Sequence, residues 1–156
     1  MKRFLLWRDD WRLGIEGIDN QHLRLVELVN QIADALHAYE SGTAEQSTAM
    51  RLVLQLQIET RLHFRSEEAF MRECDYPEYV SHHREHAMLQ AELKELLREI
   101  EEGKRKFDID TLTSLKHWLI NHVIDSDLEI ARYLHKEKPA PAEDQLSLNE
   151  RKISLK

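Results

Sequence analysis

Among 156 residues there is one cysteine, Cys74, so the chain can form no internal disulfide and no thiolate cluster to hold a metal. Three prolines and four glycines are too few for a collagen-like or low-complexity chain. No apolar run approaches the roughly 20 residues that cross a bilayer. Phe4-Leu5-Leu6-Trp7 is also too short to be the core of a secretory signal before Arg8-Asp9-Asp10 intervenes. We therefore expect a reducing compartment, a cytoplasmic location and no membrane partner. Positive charge is scarce as well: 22 Lys and Arg stand against 29 Asp and Glu, a formal balance of −7. That sign argues against nucleic acid, whose binding rests on cations that neutralise phosphates. The short run Lys104-Arg105-Lys106 reads as a helix end.

What remains is a 42% hydrophobic chain, long enough for one domain with its own core. Residues 1–17 keep no steady period but carry Phe4, Leu5, Trp7, Trp11, Leu13 and Ile15, an extended arm able to pack along a helical body. Asp19 suits the N-cap of a first helix, whose stripe is Ile18, His22, Leu25, Val29, Ile32 and Leu36. Residues 40–43 break the pattern, and Thr43 with Gln46 has capping-box spacing. The second helix then runs to about Cys74 with Leu52, Leu56, Glu59, His63, Glu67 and Phe70 inward. After a turn at 75–78, where Pro77 suits a first helical position, a third stripe carries Tyr79, His82, His86, Leu89, Leu93, Leu96 and Ile100. Gly103 suits its C-terminal cap. A fourth stripe, Leu112, Leu115, Leu119, His122 and Ile130, must end by Pro139. Four helices with short connections predict an all-α, antiparallel up-down-up-down four-helix bundle over 1–138, with 139–156 as a tail or linker.

The stripes contain the chemistry. His63 and Glu67 are four residues apart, about 400° of helix, so imidazole and carboxylate project from one face a turn apart. His82 and His86 repeat the spacing, and His22 and His122 sit on the other two apolar stripes. A single histidine in such a place is ordinarily a hydrogen-bonded core residue. Several together are different, because burying that many polar groups without a common partner costs several kcal/mol. A metal centre supplies the partner, and nitrogen and oxygen donors without sulfur suit iron, manganese or zinc. The candidate ligands are His22, His63, Glu67, His82, His86, His122 and Asp127. His122 and Asp127 lie five apart, so bringing both inward needs a locally widened turn or a reach from the next one. His37, His83, His117 and His135 read as surface groups.

These pieces resemble the bacterial hemerythrins, four-helix bundles that bind oxygen at a non-haem di-iron centre. The resemblance is carried by Ile18-Asp19-Asn20-Gln21-His22, by His63-Phe64-Arg65-Ser66-Glu67-Glu68, by Tyr76-Pro77 leading to His82 and His86, and by Trp118 to His122 followed by Asp127. It runs from the Trp7 and Trp11 arm to about His135. It implies two iron ions with an oxo or hydroxo bridge, Glu67 and Asp127 bridging them. His82, His86 and His122 would hold one iron, and His22 and His63 the other. Counted against two octahedral irons, these ligands leave one position open, on the iron with two histidines, where dioxygen can bind.

The function so implied is reversible dioxygen binding for transport, storage, delivery or sensing, without enzymatic turnover. The alternatives are a di-iron enzyme acting on peroxide or nitric oxide, and an iron buffer. Apolar side chains at Leu25, Phe64, Leu89, Leu119 and Val123 are candidates to line a dry pocket. We expect a monomer, with any protein partner engaged through the tail.

Overall fold

The computed structural model describes residues 3–137, all helical or irregular, with no strand among them. Four long helical segments follow a short 3₁₀ turn at Asp9–Trp11: α1 (Glu16–Glu40), α2 (Gln46–Glu73), α3 (Tyr79–Glu101) and α4 (Ile109–His122). The last continues without a break through a π-helical turn, Val123–Asp127, into α5 (Leu128–Glu137). The four-helix bundle is thus the expected architecture. The proposed boundary at 138 and the 139–156 tail lie outside the described residues.

The first three helices stop in the same way. At Gly42 and Gly103 the backbone turns to φ +78° and +72°, a conformation that glycine adopts without a Cβ clash. The N–H groups of Gly103 and Lys104 then reach back to the carbonyls of Ile100 and Glu99. At the end of α2 the left-handed residue is Asp75, φ +53°, with Tyr76 N–H bonded to the Met71 carbonyl. Tight reversals of this kind force antiparallel neighbours.

Helix starts depart from expectation. α1 begins at Glu16, ahead of Asp19, and Asp19 caps nothing: its carboxylate accepts from the N–H groups of Leu13 and Gly14, fastening the arm to the helix. Thr43 forms no capping box, since its hydroxyl donates to the Ala38 carbonyl and α2 starts after Glu45 without a side-chain cap. Pro77 sits in the turn two residues before α3. Among α1–α4, only α4 has a capping side chain, Asp108, which accepts from Thr111 N–H at 3.0 Å.

The main core joins Leu25, Leu28, Val29, Ile32 and Leu36 of α1 to Val53 and Leu56 of α2, Leu93 and Leu97 of α3, and Leu112, Leu115 and Leu119 of α4. The arm closes one side, with Leu5 buried and its backbone held at both polar atoms by the buried Asn30 amide. On α2 the inward residue is Thr60; Glu59 turns aside to Gln55 and Arg24. None of the described helices is long and apolar enough to cross a membrane.

Candidate metal centre

All seven candidate ligands meet at the end of the bundle where α1 and α3 begin and α2 and α4 finish. Glu67 and Asp127 are wholly buried, and the five histidines are almost so. Asp127 reaches the cluster because the π turn inserts an extra residue. With wider turns over Val123–Asp127, a separation of five brings both His122 and Asp127 inward.

Every histidine presents Nε2, and each carboxylate divides its oxygens. Glu67 Oε1 lies 2.7 Å from His82 Nε2 and 3.2 Å from His86 Nε2, while Oε2 lies 3.3 Å from His63 Nε2. Asp127 Oδ1 is 3.0 Å from His82 Nε2 and 2.9 Å from His122 Nε2, and Oδ2 is 3.0 Å from His22 Nε2. Two nests result: Glu67, His82, His86, His122 and Asp127 in one, and His22, His63, Glu67 and Asp127 in the other. The two carboxylates belong to both.

The residues fit cations better than they fit one another. Glu67 Oε2, His82 Nε2 and both Asp127 oxygens lack an aligned hydrogen bond despite these short separations. The Nε2 atoms of His22 and His63 stand 3.0 Å apart, and those of His86 and His122 3.2 Å. Two nitrogens about 2.1 Å from one first-row ion, at right angles, would be about 3.0 Å apart. Electrostatics agree. Burial would raise the Glu67 carboxyl, yet the imidazoles of His63, His82 and His86 hold it at about 2. Burial likewise opposes the ionised Asp127, which His122 above all keeps well below the usual carboxylate range. Burial lowers His63, while His82 and His122, against their own burial, are lifted to about 9 and about 10 by Asp127 and Glu67. Two buried anions are thus drawing positive charge, which bound cations would supply.

A family model described as the hemerythrin HHE cation-binding domain matches residues 13–134. The chain belongs to the hemerythrin family. It is 32% identical to a bacteriohemerythrin of Stenotrophomonas maltophilia strain R551-3 over 124 residues, 79% of this chain and 76% of that protein. A bacteriohemerythrin of Clostridium acetobutylicum is 26% identical over 125 residues, 80% and 96% of the two chains. A crystal structure of wild-type hemerythrin superposes with a TM-score of 0.73 at 23% identity, covering 83% of this chain and 96% of that one, a likeness of fold.

Within this hemerythrin fold the far side of three imidazoles is tied to the helix before. Gln21 Oε1 on α1 meets His63 Nδ1 on α2 at 2.7 Å, and the Gln21 amide donates to Ser66. Glu68 on α2 accepts from His86 Nδ1 on α3 at 3.1 Å and also binds His83, which is half exposed and faces outward as expected. Glu85 on α3 meets His122 Nδ1 at 2.6 Å and accepts from Ser126 Oγ at 2.7 Å. Such partners fix the ring orientation and tautomer of a ligating histidine. Sequence reasoning named none of the three for this role. The one available signal was adjacency, since each stands directly beside a candidate ligand.

Of the expected wall residues, Leu25, Phe64, Leu119 and Val123 are buried and Leu89 is half-buried. Phe64 lies flat on the His86 ring, centroids 3.9 Å apart, and meets His122 edge-on.

Proposed function

We propose that this chain holds two iron ions and binds dioxygen reversibly, for transport, storage, delivery or sensing. Glu67 and Asp127 would be shared by both ions, His82, His86 and His122 would hold one, and His22 and His63 the other. The observation that carries this reading is the division of each buried carboxylate between two histidine nests. When bound, an iron pair would supply the electrons for reversible dioxygen binding. The chain's own part is to keep Nε2 of each imidazole directed inward, through Gln21, Glu68 and Glu85 on three of them. Phe64, stacked on His86 and edge-on to His122, shields that part of the cluster from water. We read the chain as a binding protein rather than an enzyme, because histidine outnumbers carboxylate in the donor set and apolar groups stand around it.

The test is an optical titration of reduced, iron-loaded protein under nitrogen, then air, then nitrogen again. Two irons per chain and a charge-transfer band that appears with oxygen and disappears on its removal are expected. Prompt irreversible oxidation, or catalytic consumption of peroxide or nitric oxide, would reject reversible binding.

A further inference from the structure

A cleft of about 360 Å³ opens between α2 and α3, immediately beyond the candidate centre. Thr60 is one turn before His63 and Phe64, and Gln90 one turn after His86. Three observations set this cleft apart. First, Thr60 is 1% exposed, lines the cleft, and among the described residues its Oγ1 has no hydrogen-bond partner. A buried hydroxyl without a partner carries a desolvation cost, which a small shift of the lining toward a polar ligand would relieve. Second, the charged lining is cationic, Arg61 and Lys94, in a chain whose formal balance is −7. Third, both cations are uncommitted: among the described residues neither makes an ion pair or a side-chain hydrogen bond, and the flanking amides Gln57 and Gln90 make none either.

The acids nearest in sequence are engaged elsewhere. Glu59 takes Gln55 and Arg24, Glu92 accepts from Trp118 Nε1, and Glu95 pairs with Arg98. Two cations uncommitted among the described residues and two amide groups line a common space with a dry hydroxyl buried beneath it, a donor-rich set matched to several acceptor oxygens on one small anion. We propose that this cleft binds a small oxyanion, a phosphate or a carboxylate, bridging α2 and α3 through Arg61, Lys94 and Thr60. Leu93 forms part of the apolar floor.

Calorimetric titration of the iron-loaded protein with inorganic phosphate and, separately, with citrate tests this, with the optical spectrum followed in parallel. Saturable binding of at least one anion is expected below about 10 mM, with the iron bands unchanged. Arg61→Met and Lys94→Met should each weaken it about tenfold, and Thr60→Val, close in shape, should weaken it measurably without unfolding the chain. Phosphate binding alone would assign the site to phosphates, citrate alone to carboxylates. No saturable heat with either anion would overturn the proposal. So would binding that survives the Arg61→Met/Lys94→Met double variant, or that shifts the iron spectrum and so belongs to the centre. Because the oxygen titration is run without these anions, failure of one reading leaves the other standing.

Discussion

If the two nests hold metal as proposed, removing the Glu85 carboxylate should weaken one position and spare the other. Its oxygen meets His122 Nδ1 at 2.6 Å, and Ser126 Oγ holds the carboxylate at 2.7 Å. A hydrogen bond with one charged partner contributes about 1.5–3 kcal/mol. Glu85 is 39% exposed, so solvent screening reduces this to about 1–2 kcal/mol, or about five- to thirtyfold in affinity. The loss falls on the nest that contains His122, because no Glu85 oxygen approaches His22 or His63. Glu85→Ala should therefore split a metal titration against a competing chelator into one unchanged step and one weakened step. Glu85→Gln keeps an acceptor for Nδ1–H without the charge, and should recover part of the loss. Partial exposure keeps the cost to folding small, so circular dichroism of both variants should match the parent. Unchanged affinity at both steps in Glu85→Ala, or equal weakening of both, would refute the assignment of Glu85 to one nest.

Three further outcomes are expected. His63→Ala removes one Nε2 from the two-histidine nest, and iron content measured on the purified protein should fall from two per chain towards one; full stoichiometry with normal oxygenation would reject His63 as a ligand. Phe64→Ala should cost about 3–5 kcal/mol in urea denaturation, since the ring is buried and stacked on His86. Asn30→Ala leaves the Leu5 N–H and carbonyl without their partners, so hydrogen exchange at Leu5 should accelerate and stability fall by about 1–3 kcal/mol.

The helical stripes were legible because apolar spacing reports which face a helix buries, and His22, His63, His82, His86 and His122 fell on those stripes. Their convergence follows from short reversals such as those at Gly42 and Gly103. The five-residue step from His122 to Asp127 signalled a departure from regular helix, and the π turn at Val123–Asp127 is that departure. Asp19 was misread because an acid near a helix start serves equally well to catch a neighbouring loop, and only the path of the arm decides between them. Glu59 and Thr60 are one position apart, about 100° of helix, which periodicity does not resolve at the margin of a stripe. For Gln21, Glu68 and Glu85 adjacency to a ligand did not reveal the role, because each serves an imidazole on another helix, a relation that spacing along one chain segment does not encode.

That relation also limits how the bundle can be recombined. The side chain that steadies α2's histidine belongs to α1, the one for α3's to α2, and the one for α4's to α3. A helix transplanted alone from a relative would arrive with its own ligand, leave that ligand's support behind, and present a foreign support to the next imidazole. Chimeras should therefore tolerate cuts that move neighbouring helices together better than cuts that isolate one, and the heritable unit of this centre is the seam between two helices.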